Sequence, residues 1–149
     1  MRRLIMLLSV VVLLSCGNGE QQQAEQLLQT ARDRFEQGDF AASLQLIDSL
    51  RTTYPRQLEA RREALKLYQE ASMGAARADL ARTDSLLQTA RAAFDSLDAV
   101  VTQHRADLTA TAEELSALTF ARIRRDSLQT RFDALIGKVQ LIRKKQTEQ

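Results

Sequence analysis

The feature that most constrains this chain is a long stretch without helix breakers. Residues 56–105 contain no proline and one glycine, Gly74. From Leu80 onward, apolar or small residues return every three or four positions, the spacing that lines one side of an α-helix. The residues of this seam are Leu80, Thr83, Leu87, Ala90, Phe94, Leu97, Val101, His104 and Leu108. Together with only 1 proline, 5 glycines and 5% aromatic residues in the whole chain, the seam predicts an all-α fold.

A second seam follows the first and begins at a recognisable helix start. Thr111 and Glu114 have the spacing of a capping box. The residues of the second seam are Leu115, Leu118, Leu128, Phe132, Leu135, Val139 and Ile142, and the spacing slips near residues 122–125. We expect the two seams to pack as an antiparallel coiled-coil hairpin with its tip near residues 106–111. The alternative is one continuous helix that forms a parallel homo-oligomer through the same seam.

The hairpin prediction includes a register. Folding the chain near residue 109 pairs residues whose numbers sum to roughly 220, with large side chains opposite small ones where the seams interdigitate. The predicted pairs are Val101 with Leu118, Ala90 with Phe132, and Leu87 with Leu135.

Residues 24–57 have the pattern of two short helices joined by a tight turn. The first carries Leu27, Leu28, Ala31 and Phe35; Gly38 and Asp39 form the turn; the second carries Phe40, Leu44, Ile47 and Leu50, and Pro55 follows it. This unit, with the small Ser43 in the second helix, resembles one tetratricopeptide repeat. A single repeat does not bury its own apolar face. We therefore expect Leu58, Leu65 and Tyr68 of the next helix to cover it, and Gly74 to mark a bend.

The N-terminus has the pattern of a secretory signal. Arg2 and Arg3 precede an apolar run at residues 4–14 that only Ser9 interrupts. As a helix this run reaches about 17 Å, which is too short for a hydrocarbon core of about 30 Å. We interpret residues 1–15 as a signal peptide.

The signal ends at a motif that carries a further implication. The sequence Leu13-Leu14-Ser15-Cys16-Gly17 resembles the lipobox of bacterial lipoproteins. The resemblance implies cleavage before Cys16, a diacylglycerol thioether on its sulfur and acylation of the new amino terminus, so that the membrane is a partner through lipid. Gly17, where an aspartate often retains lipoproteins at the inner membrane, favours the periplasmic face of the outer membrane. Residues 16–23 are then the lipidated cysteine and a flexible tether.

The charges are unevenly distributed. Residues 17–119 carry 11 basic and 16 acidic side chains, whereas residues 120–149 carry 8 basic and 3 acidic side chains. The basic end either neutralises the acidic remainder or contacts an anionic partner. An exported protein is not expected to meet nucleic acid. Arg122, Arg124 and Arg125 are interpreted as a solvated face, with an anion site as the alternative.

The residue types needed for catalysis are scarce. His104 is the only histidine and Cys16 the only cysteine, so no disulfide framework is possible within the chain. No glycine-rich phosphate loop or nucleophile elbow is present. We predict no catalytic residue, no cofactor and no metal site, and we interpret His104 as a packed or half-exposed side chain.

These patterns predict a membrane-anchored envelope lipoprotein that acts as a protein-interaction or scaffold module, with another envelope protein as partner. At the level of the fold it resembles helical-repeat lipoproteins of outer-membrane barrel assembly. The alternative is a coiled-coil spacer between envelope layers, similar to murein-bound lipoproteins. Those end in a lysine, whereas Lys144-Lys145 is followed by four further residues. The predicted organisation is a signal peptide at 1–15, anchor and tether at 16–23, repeat-like hairpin at 24–57, long helical hairpin at 58–146 and tail at 147–149.

Overall fold

The computed structural model describes the backbone of residues 2–148 and the side chains of residues 19–148. Over these residues the backbone forms α-helices and no strand, which confirms the all-α prediction. The helices are α1 (Arg2–Glu36), α2 (Phe40–Thr53), α3 (Leu58–Ala106) and α4 (Ala112–Thr147). The chain divides into two compact units, Met1–Ala75 and Ala76–Gln149, and the boundary falls within α3. The side chains of the predicted signal peptide and of Cys16 are not among those that the structure describes.

Unit 1 (Met1–Ala75) is built on the predicted helix–turn–helix. Gly38 has a φ of 77°, a left-handed conformation that glycine adopts without steric cost at a helix end. The carboxylate of Asp39 accepts a hydrogen bond from the Ala42 backbone N–H at 3.1 Å and so caps α2. The core mixes leucine and isoleucine with small residues: Ala24, Leu28, Ala31, Ile47, Leu50, Ala60, Ala64 and Leu67.

Helix α1 also includes the segment for which the sequence predicts a flexible tether. Residues 17–23 are helical. The Gln21 side chain donates to Glu25 at 2.9 Å, and Gln23 accepts from the Tyr54 hydroxyl at 3.2 Å. Glutamine and glutamate are good helix formers, and Ala24 directly after them is fully buried. Residues 19–23 are therefore exposed residues of a helix that leads into the packed part of α1.

The start of α3 packs on a different face from the predicted one. Leu58, Leu65 and Tyr68 are exposed, and the prediction that they cover the repeat-like unit was wrong. The buried side chains at the start of α3 are those of Ala60, Ala64, Leu67 and Ala71. Because alanine lets two helix backbones approach closely, the face of α3 that carries these alanines and Leu67 packs against the core of α1 and α2, and Leu58, Leu65 and Tyr68 remain outside.

Gly74, where the sequence predicts a bend, allows a close approach of the Phe40 ring. Helix α3 continues through it. A Cβ atom at this position would lie 2.5 Å from Cε1 of Phe40. The Phe40 ring is itself packed edge-on against Phe35, with ring centroids 5.6 Å apart. A Cβ at position 74 would therefore require the Phe40 ring to shift from its contact with Phe35.

Unit 2 (Ala76–Gln149) folds α4 back onto the second part of α3. The hydroxyl of Thr111 accepts from the Glu114 N–H and the Glu114 carboxylate accepts from the Thr111 N–H, which confirms the predicted capping box. Phe94, Val101 and Leu118 form the buried cluster between the helices. Arg91 donates to Gln129, a pair whose numbers sum to 220 as the predicted register requires.

The structure of unit 2 differs from the predicted seams in two details. Leu108 does not continue the first seam, because it lies in the turn with a φ of 58° and is 94% exposed. Where the leucine spacing slips in α4, Ala121 and Arg125 take half-buried positions instead. The seam therefore tolerates a long polar side chain at its centre.

Gly74 in α3 and Gly137 in α4 give a matched test of the packing at Gly74. We expect Gly137→Ala to raise the free energy of unfolding by up to about 1 kcal/mol, because alanine favours the helix and no atom lies within 4 Å of the added Cβ. We expect Gly74→Ala to lower it by about 1 kcal/mol, because overpacking against Phe40 outweighs the same gain. Urea unfolding followed by circular dichroism measures both. Equal stabilisation by the two substitutions would contradict the close approach.

Candidate functional site

Unit 1 exposes a row of large apolar side chains, which we call the α3 stripe. It consists of Leu58, Leu65 and Tyr68, with 69%, 46% and 40% of their surfaces exposed. Spacings of seven and three residues put them on one side of α3. This side faces away from the alanine-lined core. Grouped exposed apolar residues often mark binding surfaces, whereas isolated ones are ordinary.

Unit 2 contains an open groove between α3 and α4, which we call the hairpin groove. Its lining consists of Thr89, Ala90 and Ala93 from α3 and Phe120, Ala121 and Arg124 from α4. Its volume is about 250 Å³. The groove exists because four of these six residues are alanine or threonine, which leave space beside the larger Phe120. The Phe120 ring at its edge is 70% exposed.

Further exposed apolar residues extend this surface along both helices. On α3, Leu86 and Val100 each lie seven positions from Ala93 and are exposed. On α4, Ile123 and Leu141 are exposed on the same side as Phe120. Because seven residues make nearly two whole turns, these residues form rows parallel to the groove.

A row of cations follows the same side of α4, and we call it the basic row. It consists of Arg124, Arg131, Lys138 and Lys145, which are all exposed and spaced by seven. Among the described side chains none of the four forms an ion pair within 4 Å. The carboxylates of Asp126 and Asp133 lie about half a turn away at 100° per residue. The basic row therefore presents positive charge along α4, and its first member, Arg124, lines the groove.

The three arginines considered as an anion site do not converge. The Arg125 guanidinium lies 4.0 Å from the centroid of the Phe94 ring and pairs with Asp126 at 2.8 Å. Arg122 approaches the same ring at 5.8 Å, whereas Arg124 lines the groove. Two of these arginines therefore cover the seam by cation–π contacts, and the third belongs to the exposed surface.

His104 and Glu114 connect the helices at the hairpin tip. Nδ1 of the half-buried His104 lies 2.8 Å from Oε1 of Glu114. The Thr111 backbone N–H donates to the other carboxylate oxygen at 3.0 Å. The hydrogen bond from Thr111, helped by His104, holds the pKa of Glu114 below its usual range. This arrangement has a structural purpose, since it fixes the turn that aligns the two helices.

The described residues give few other candidate sites. No group of three or more histidine, cysteine or acidic side chains among residues 19–148 is placed to hold a metal ion. No helix that the structure describes is long and apolar enough to cross a bilayer. The side chain of Cys16, the predicted lipidation site, is outside this range.

The groove could not be found from sequence, since it depends on which residues of α3 meet which residues of α4. The sevenfold spacing of the basic row is visible in the sequence. Its significance depends on the orientation of α4, which decides whether the row points to the seam or to solvent.

Comparison with known proteins gives no match. No family model matches the sequence, and neither a curated protein nor a solved structure matches the chain.

The lowered pKa of Glu114 predicts a pH dependence of stability. A carboxyl whose pKa is lower in the folded state stabilises the fold above its unfolded pKa, near 4.3, and this contribution is lost as the pH falls through the folded pKa. We expect Glu114→Gln to lose less stability than the parent chain between neutral pH and about pH 3. Urea midpoints at both pH values measure this. Part of the pH dependence of stability should remain in the Glu114→Gln variant, because Lys66 also lowers the pKa of Glu63.

The control is Glu36→Gln, which removes an exposed carboxylate far along the chain from the tip. Its pH dependence should equal that of the parent. If Glu114→Gln also left the dependence unchanged, the tip interaction would not contribute to folding.

Proposed function

We propose that this chain is a lipid-anchored protein of the bacterial cell envelope that acts as a protein-interaction or scaffold module. The observation that carries the proposal is the exposure of large apolar side chains at helical spacing in both units. Examples are Leu65 and Tyr68 in the α3 stripe and Phe120 and Ile123 beside the groove. These residues are not members of the buried core clusters, and a binding surface accounts for their spacing and exposure.

The anchor is proposed from the lipobox-like sequence that ends at Cys16. One fatty chain binds a bilayer weakly, whereas two or three hold firmly at about 0.8 kcal/mol per buried CH₂. A protein held in this way meets partners in the same compartment at a raised effective concentration. The partner we propose is therefore another envelope protein, and Gly17 favours the periplasmic face of the outer membrane.

A coiled-coil spacer between envelope layers is the competing function. A spacer needs a buried seam, such as the one containing Leu87, Val101 and Leu118. It has no need of a second set of large apolar residues on its outer faces. The α3 stripe and the surface around Phe120 therefore support the interaction module.

Site-specific photo-crosslinking in cells tests the proposal. With a benzophenone amino acid at Leu65 or Phe120, we expect irradiation to join the chain to a discrete envelope protein. Mass spectrometry identifies the product. At the exposed positions Glu70 and Gln140, about 140° and 160° around the same helices, we expect little or no product.

Two further outcomes are decisive. The parent chain should incorporate a palmitate analogue, and Cys16→Ser should lose both the label and the crosslink. Recovery with peptidoglycan alone would support the spacer, and an unlabelled parent chain would overturn the anchor.

A further inference from the structure

We propose that the hairpin groove and the basic row together bind one amphipathic helix of a partner protein, and that acidic residues flank the apolar face of that helix. This inference rests on the proposed interaction function and specifies its partner. It is carried by two observations: the shape of the groove and the repeated positive charge beside it.

The groove is open and slightly smaller than the usual pocket for a small molecule. Pockets for small organic molecules usually enclose about 300–1,000 Å³, whereas this groove is open and holds about 250 Å³. The small residues Ala90, Ala93 and Ala121 form part of its lining. A leucine or phenylalanine of a third helix would enter between them, as ridges enter grooves in other helix packings.

The rows that run through the groove residues Ala93 and Phe120 repeat with the period that a helix partner requires. On α3 the row is Leu86, Ala93 and Val100; on α4 it is Phe120, Ser127, Ala134 and Leu141. All seven residues are exposed. A partner helix with apolar residues at heptad positions would contact both rows over several turns. The surface therefore fits an added helix better than a strand or a loop.

The positive charge of the basic row determines which kind of partner helix can bind. Arg124 lines the groove, and Arg131, Lys138 and Lys145 continue its row along α4 at intervals of seven residues. The flanking positions of a coiled coil usually pair with opposite charges. A second copy of this chain is disfavoured, because a symmetric dimer would bring its basic rows to one interface. A partner helix with aspartate or glutamate every seven residues would neutralise the row.

An anionic bilayer would also attract four cations. The groove favours a protein, because a concave site between two helices matches a convex side chain, and a lipid surface has no need of it. An interfacial helix also requires a broad apolar face, whereas Ser127 and Ala134 separate Phe120 from Leu141. Vesicle binding is therefore the competing outcome of the test.

The test uses the full chain purified in detergent and a synthetic acidic helix. The probe is a fluorescent peptide of about four heptads, with leucine at the core positions and glutamate at the flanking positions. We expect binding that weakens at high salt. We expect charge reversal of the basic row (R124E/R131E/K138E/K145E) to weaken it at least about tenfold.

Two controls separate specific recognition from general attraction. The matched variant R34E/R51E/R56E/R77E changes the same number of exposed cations, none of which lines the groove or belongs to the basic row, and should bind the peptide like the parent. A peptide with lysine in place of glutamate should bind the charge-reversed variant and not the parent. Phe120→Glu should also weaken binding of the acidic peptide, because it places a charge at the edge of the groove.

The outcomes distinguish this inference from the proposed function. Equal binding of the acidic peptide by the parent and the charge-reversed chain would overturn the inference. So would row-dependent binding to phosphatidylglycerol vesicles without peptide binding. If the peptide failed while the crosslinks at Leu65 or Phe120 still formed in cells, the interaction function would stand and the acidic-helix partner would be rejected.

Discussion

The antiparallel contact between the second part of α3 and α4 determines what unit 2 presents to its surroundings. Phe94, Val101 and Leu118 exclude water between the helices, and the capping box at Thr111 fixes where α4 begins. A helical side chain turns by about 100° per residue, so a shift of one position in this register would rotate α4 and redirect the basic row. The groove and the row are consequences of that register. A proposal about binding at this surface therefore depends first on the packing of the hairpin.

Unit 1 follows a different principle, in which small residues decide which face is buried. Ala60 and Ala64 face the core, and Gly74 admits the Phe40 ring. Close backbone approach gives many weak dispersion contacts, so an alanine face can be buried in preference to a leucine face on the same helix. The larger residues Leu58 and Leu65 are then left outside. Helix α3 therefore has one apolar side buried in the core of unit 1 and a second apolar side exposed.

Much of the fold could be predicted because helix signals are local. The absence of glycine and proline, the Asp39 cap and the Thr111–Glu114 spacing depend on neighbouring residues only, and they located α2, α3 and the start of α4. The failures have non-local causes. Ala60 rather than Leu65 is buried because of its contacts with residues of α1 and α2, which are distant in the sequence. Leu108 leaves the seam because the turn needs a residue with positive φ. Residues 17–23 show that a polar, glutamine-rich segment continues as a helix when a packed helix follows it.

The candidate surface also combines features that could be predicted from the sequence with features that depend on the packing. The spacing of Arg124, Arg131 and Lys138 is a property of the sequence, but their exposure follows from the packing of α4. The groove needs Thr89 and Ala93 to lie beside Phe120, which only the register between the helices provides. Lipidation at Cys16 is a prediction of the sequence motif alone.

The most direct measurement is the distance between spin labels at positions 91 and 129 in a Cys16→Ser chain, diluted with unlabelled protein. These residues are 38 apart in sequence and in contact across the hairpin. The hairpin predicts a short distance within one chain, set by helix axes about 10 Å apart and the length of the labels. One continuous helix would separate the two positions by about 57 Å, and that result would contradict the account.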